Sequence, residues 1–233
     1  MRIVFVRHGH PNYKIDRLTE LGHLQAEAAA ERLVGEGIER IYASTCGRAL
    51  ETAEHTADKL GIPREEIVRC PFMREIHWGA TDKTPLYENG HPWFTADRMA
   101  REGNALIDFA WQKHPLFEKS DRLHGEHRAV VERCDIWLAY LGYKREGNGY
   151  RVTKKNDQTV AMFSHAGSSS CVLSHVFTLP FPFVLSAFRI DFTAVTVVKL
   201  EGEVGDLVFP RFEIANDSRH IEGIRGERIA PQS

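Results

Sequence analysis

The run Ile3-Val4-Phe5-Val6-Arg7-His8-Gly9-His10 constrains this chain most. Four apolar residues without alternation, three of them β-branched, read as a short strand buried on both faces, as in a parallel sheet covered by helices. Arg7 and His8 then stand where the strand leaves the sheet, the edge at which open α/β sheets bind ligands. An imidazole beside a guanidinium at that edge has the chemistry of a nucleophile with an anion holder. A histidine hydrogen-bonded at a strand end for structural reasons fits the same letters. Gly9 is expected to let the chain turn and to leave room for a ligand against the backbone.

The pattern returns late in the chain. Thr159 to Phe163 is a second buried strand, followed by Ser164-His165-Ala166-Gly167-Ser168-Ser169-Ser170. The serines are expected to cap a helix to about Phe177, stopped by Pro180, whose free N–H groups favour an anion. Between these repeats, Thr19 reads as the N-cap of a helix to about Val34, with Leu21, Leu24, Ala28 and Leu33 as its buried stripe. Ile38 to Ala43 reads as a strand. Ser44 or Thr45 is expected to cap the next helix, to about Leu60. Arg48 lies in its first turn, where the macrodipole disfavours a cation unless an anion also binds. Glu75, flanked by apolar residues, sits in a setting that raises a carboxyl pKa. Further strands are expected at 67–70, 150–153, 187–192, 195–200 and 207–214, and a mobile polar tail from about Glu222.

Residues 80–157 read as a long insertion with helices near 95–113 and 124–141. Val130, Cys134, Trp137 and Leu141 form the stripe of the second. His124 and His127 are three apart, but no third ligand and no HExxH pattern accompany them, so an exposed helix start is the reading rather than a metal site. His77 and His91 read as solvated loop histidines near the site. Trp78, Trp93, Phe94 and Trp111 either wall a substrate pocket or form the insertion's own core, and Trp111 is assigned to the core.

A length of 233 residues allows one large core or two small ones. A net charge of −2 gives no reason to expect nucleic acid or an anionic membrane as partner. No apolar run is long enough for a membrane span, and no signal peptide is read. Cys46, Cys70, Cys134 and Cys171 are far apart, which signals neither zinc nor a redox pair and fits a reduced, cytoplasmic setting.

Taken together, Arg7-His8-Gly9, Leu18-Thr19-Glu20-Leu21-Gly22 with Gln25-Ala26, Ser44 with Arg48-Ala49 and Thr52-Ala53, Glu75 before Gly79, and Ser164-His165-Ala166-Gly167 occur in order, each in a strand–loop–helix context. The set resembles the histidine phosphatase superfamily, the phosphoglycerate-mutase-like fold, over roughly 1–79 and 158–221. The resemblance implies a single catalytic domain over 1–233. Its expected form is a three-layer αβα sandwich with a mostly parallel central sheet and a helical cap inserted at about 80–157. It implies metal-independent hydrolysis of a small-molecule phosphomonoester, without cofactor. His8 takes the phosphoryl group. Arg7, Arg48 and His165 hold its oxygens. Glu75 protonates the leaving oxygen and then deprotonates water.

Two departures stand out. Many members carry Thr or Ser two residues after the RHG glycine and then Asn, whereas this loop reads His10-Pro11-Asn12-Tyr13. Asn12 is then its candidate for a phosphate contact. The run Gly79-Ala80-Thr81-Asp82-Lys83-Thr84 lacks the mutase pattern after the acid Glu, which favours a phosphatase. A phosphoglycerate-type mutase and a non-catalytic phospho-ligand-binding regulator are the alternatives.

Overall fold

Unbroken apolar stretches make the middle of one sheet. The structure, a computed structural model, describes residues 1–226. The chain runs through β1 (Arg2–Arg7), a hairpin of β2 (Pro11–Asn12) and β3 (Arg17–Leu18), α1 (Glu20–Leu33), β4 (Ile38–Ala43), α2 (Gly47–Leu60) and β5 (Val68–Arg69). It continues through α3 (Pro92–Arg101), α4 (Asp121–Tyr140), a hairpin of β6 (Tyr143–Glu146) and β7 (Gly149–Val152), and β8 (Thr159–Ser164). Then come α5 (Ala166–Val176), α6 (Phe181–Ala187), β9 (Val195–Lys199), β10 (Leu207–Val208) and β11 (Arg211–Asp217).

The main sheet has the order β11-β9-β1-β8-β4-β5. β1, β8, β4 and β5 are mutually parallel, and β9 is antiparallel to both β1 and β11. Alternate residues of β1 serve opposite faces. Val4 and Val6 pack with Ile41, Ala53, Ala57 and Phe163 under α1 and α2. Ile3 and Phe5 pack with Met162, Cys134, Trp137 and Val172 under α4 and α5. The expected three layers result.

Several local expectations differ. The buried face of α1 is Gly22, Gln25, Ala26, Ala29, Ala30 and Leu33, whereas Leu24 is 53% exposed. Leu33 is buried as expected, but the rest of that face is made mostly of small residues, which let α1 lie close to its neighbours. The stripe expected on the second insertion helix is buried, but α4 presses it onto the sheet, with Trp137 edge-on to Tyr42 at 5.4 Å. This part of the insertion is therefore one layer of the sandwich. Instead of the strand expected at 187–192, Ala187 ends α6 and residues 188–192 form a loop. The expected strand at 207–214 splits at Pro210, which cannot continue a ladder. Its first piece, β10, pairs with β7 in a separate sheet. The tail expected to be mobile from Glu222 begins as a 3-10 turn over Arg219–Ile224, where Gln25 Nε2 donates to the carbonyls of Ile224 and Arg225 (2.8 and 3.0 Å). Residues 227–233 lie outside the described ones. All four cysteines are free.

Candidate active site

β1 and β8 are adjacent, parallel and in register through Arg7 and Ser164. The next residues, His8 and His165, therefore leave the same sheet edge side by side. Their ring centroids are 5.0 Å apart, close to the spacing between neighbouring strands. Both rings are buried, 1% and 0% exposed.

Arg48 spans the pair. Its Nε donates to His8 Nε2 (3.3 Å) and its second terminal nitrogen to His165 Nδ1 (3.0 Å). The partners assign the protons. His8 Nδ1 donates to Gly9 O at 2.7 Å, which leaves a lone pair on Nε2. His165 keeps its proton on Nε2, which donates to Ser44 Oγ at 2.8 Å. Burial, and then the charges of Arg7 and Arg48, hold the His8 imidazole well below its ordinary pKa. Burial, Arg48, His8 and Arg7 do the same to His165. Both rings are neutral at neutral pH.

Arg7 reaches the site from the end of β1. One terminal nitrogen donates to Ile190 O (2.7 Å), and its guanidinium lies 4.1 Å over the Phe192 ring. The loop at 188–192 thus supports the first arginine.

Glu75 arrives from the far side. Its carboxylate accepts from Ile76 N (3.0 Å), Gly167 N (3.4 Å) and Ser168 N (3.3 Å). The last two are free N–H groups at the start of α5. The serines expected to cap that helix lie inside it instead, and its N-cap, His165, makes no side-chain cap bond. A Cβ on Gly167 would collide with the Glu75 carboxylate, so glycine is what admits it. Glu75 keeps some exposure but is closely surrounded by protein. Burial raises its pKa and outweighs the opposing pull of Arg48, the backbone N–H groups and Arg7.

The α2 terminus shows the same device. Neither Ser44 nor Thr45 caps it; Ser44 Oγ instead accepts from Cys46 N (3.2 Å) and serves His165. The carboxylate of Asp16, in the turn of the β2–β3 hairpin, accepts from Gly47 N (2.7 Å) and pairs with Arg48. Sequence reasoning missed Asp16, because its partners lie 31 and 32 residues away and no local pattern marks it. Both helix starts that the sequence offered to a phosphate therefore hold a carboxylate of the chain itself.

His8, His165, Arg7, Arg48 and Glu75 are thus brought together. Asn12 is not joined to them by a described contact: its carboxamide oxygen accepts from Lys14 N (3.2 Å) within the hairpin turn. Gly9 has a packing reason rather than a ligand reason, since a Cβ there would stand 2.5 Å from Gly22 O. The Gly9 N–H donates to Thr52 Oγ1 (3.1 Å), which in turn donates to Arg48 O (2.8 Å). Thr52 therefore ties the RHG loop to α2.

The insertion's histidines singled out from the sequence, and His77 beside it, fall elsewhere. His77 meets Glu126 at 2.9 Å. His91 is buried among aromatic rings rather than solvated. His124 and His127 pack against Trp111, itself 3% exposed. Among the described residues no cluster of three or more His, Cys, Asp or Glu side chains could hold a metal ion, and no helix is long and apolar enough to cross a membrane.

Comparison with known proteins bears on this geometry. A probable phosphoglycerate mutase of Photorhabdus laumondii is 29% identical over 143 residues, which are 58% of this chain and 63% of that protein. A 2,3-bisphosphoglycerate-dependent phosphoglycerate mutase of Brucella ovis is 34% identical over 88 residues, 33% of this chain and 43% of that one. The chain spans less than two thirds of the length of these relatives. Among solved structures, mycobacterial glucosyl-3-phosphoglycerate phosphatase with inorganic phosphate superposes with a TM-score of 0.62 at 22% identity, over 95% of this chain and 99% of that one. Entamoeba histolytica phosphoserine phosphatase with 3-phosphoglyceric acid gives 0.61 at 17%, over 94% and 98%. At such identities the likeness is one of fold. The sequence profile of the histidine phosphatase superfamily, branch 1, matches residues 3–211, and the chain belongs to that superfamily.

Proposed function

We propose that this protein hydrolyses small phosphomonoesters through a phosphohistidine on His8. The observation that carries the reading is the tautomer of His8. Its Nδ1 is committed to Gly9 O, and its unprotonated Nε2 faces the Arg48 guanidinium. A ring held this way is a nucleophile aimed at the place an anion would occupy.

The ester's phosphoryl oxygens would replace the imidazole contacts of Arg48 and meet Arg7. Two arginines fit a phosphoryl group because its charge is spread over its equatorial oxygens. His8 Nε2 attacks phosphorus, and the bond from phosphorus to the ester oxygen breaks. Glu75, its pKa raised by burial, gives that oxygen a proton. Water then attacks the phosphohistidine, its proton passes to the Glu75 carboxylate, and the phosphorus–nitrogen bond breaks to release orthophosphate and restore His8. As dianionic phosphate offsets the two guanidinium charges, His165 can take a proton on Nδ1 and donate to a phosphoryl oxygen.

The mutases among the curated relatives favour a second reading. A mutase passes the group from His8 to another hydroxyl instead of water. The solved neighbours include a phosphoserine phosphatase bound to phosphoserine and to 3-phosphoglyceric acid, so phosphorylated carboxylic acids are the first esters to try. The test is p-nitrophenyl phosphate hydrolysis, with chelator present, by wild type and His8→Ala. Wild-type turnover that disappears in the variant is the expected result. Turnover surviving in His8→Ala, or dependent on metal, would reject the mechanism. Phosphoenzyme that persists in water until a second alcohol is added would move the assignment to a mutase.

A further inference from the structure

Tyr13 opens the turn that also carries Asp16, and nothing above gives it a role. Its ring lies beneath Arg48, 5.3 Å from the guanidinium carbon. Arg7, Arg48 and Glu75 are all close enough to its hydroxyl to act on it electrostatically. One phenol therefore lies against Arg48, within electrostatic reach of Arg7 and of the acid.

The direction of its own proton follows from chemistry. A guanidinium only donates, so toward Arg7 the hydroxyl can only accept. Its O–H is then left for another acceptor. Burial raises the phenol's pKa, so the proton stays on at neutral pH. Arg7 does not need Tyr13 to be held, since Ile190 O and the Phe192 ring already fix it. The half-buried hydroxyl is thus more than a brace for the arginine.

We infer that Tyr13 is a further catalytic residue, whose hydroxyl donates to an oxygen of the phosphoryl group as it moves from the ester to His8. The inference rests on the phosphohistidine reading. It assigns to Tyr13 the donor role that the loop lacks at Pro11 and that Asn12, turned to Lys14 N, does not supply. No bond to Tyr13 forms or breaks. The hydrogen bond shortens as charge gathers on the oxygens, and it therefore counts more in the transition state than in the bound ester.

The test is Tyr13→Phe, which keeps the ring and its contact with Arg48 and removes only the hydroxyl. Removing one such donor is expected to lower kcat by about 10²-fold with KM changed by less than about threefold. Vanadate, which reaches the five-coordinate geometry of transfer, should lose affinity by a similar factor, whereas inorganic phosphate should lose little. Both affinities are measured by calorimetry and need no turnover. Wild-type kcat and wild-type vanadate affinity in Tyr13→Phe would overturn the role. Equal losses for vanadate and phosphate would also overturn it, since they mark a ground-state contact. Tyr13→Leu, compared with Tyr13→Phe, separates the ring from the hydroxyl, and a loss seen only in Tyr13→Leu would again reject the assignment. If wild type neither turns over esters nor binds vanadate, the phosphatase reading fails and this inference fails with it. If wild type does both and Tyr13→Phe equals it, only the role of Tyr13 fails.

Discussion

The buried histidines of the sheet edge and of the insertion look alike by exposure and differ in how their ring nitrogens are held. At the sheet edge, His8 and His165 have both ring nitrogens committed, to Gly9 O, Arg48 and Ser44. In the insertion, His91 is 8% exposed, touches Trp78, Trp93 and Phe94, and among the described residues has no hydrogen-bond partner on either nitrogen. Burial depresses the pKa in both places, for His91 to about 4. Burial alone is therefore a poor mark of chemistry. A defined tautomer aimed at a guanidinium is a better one, because it fixes which nitrogen has a lone pair and where it points.

The comparison can be broken by substitution. Glu75→Gln should have the largest effect: about 10²–10⁴-fold slower hydrolysis of esters with poor leaving groups, and far less for p-nitrophenyl phosphate, which leaves without a proton. Equal losses for both would remove Glu75 from the role of acid. Because the Glu75 pKa is raised, the rate for poor leaving groups should decline on the alkaline side, as pH climbs through that raised value. The neutral His8 should impose no acid limb near 6.5. Arg48→Ala should lower kcat by about 10²–10³-fold, since it removes a clamp and the partner of both imidazoles. Near-normal turnover would place Arg48 outside the chemistry.

The insertion should answer in stability rather than rate. Above about pH 6.5, His91 is neutral whether folded or unfolded and contributes nothing. As the pH falls from there to about 4, the unfolded chain takes a proton that the folded one refuses, so stability drops. The full shift is worth about 3 kcal/mol. His91→Phe should remove one share of that acid limb, to which the likewise depressed His8, His165 and His127 also contribute, in denaturant titrations at several pH values, and leave turnover unchanged. Altered kcat with an unchanged limb would invert the comparison. The smallest effect expected is that of Thr19→Ala, which loses the α1 cap, a 3.1 Å bond to Gly22 N. About 1 kcal/mol of stability should go, with kcat within twofold of wild type.

What the sequence revealed divides along the same line. The floor was legible because its residues are contiguous with strands whose burial is written as unbroken apolar runs. Arg7-His8 after β1 and His165 after β8 needed only the rule that such strands pair in parallel. Arg48 was legible through its place at a helix start. Asp16 and Tyr13 were not, since a four-residue turn displays no periodicity and their partners are distant in sequence. The serines after β8 misled for a physical reason: Glu75 already fills the helix start that they were expected to cap. In the insertion, apolar rings around His91 left no sign by which to tell a packed histidine from a solvated one.

The register of β1 against β8 has a consequence in time. The two strands that set His8 beside His165 are separated by more than half the chain, and α1, α2, α3 and α4 all lie between them. Pairings of such sequence separation are slow, because loop closure must be completed before the contacts exist. Local helices can form early without bringing the two imidazoles together. In refolding, the return of activity would then report the closing of the sheet, and it would trail the recovery of helical signal by the time that closing takes.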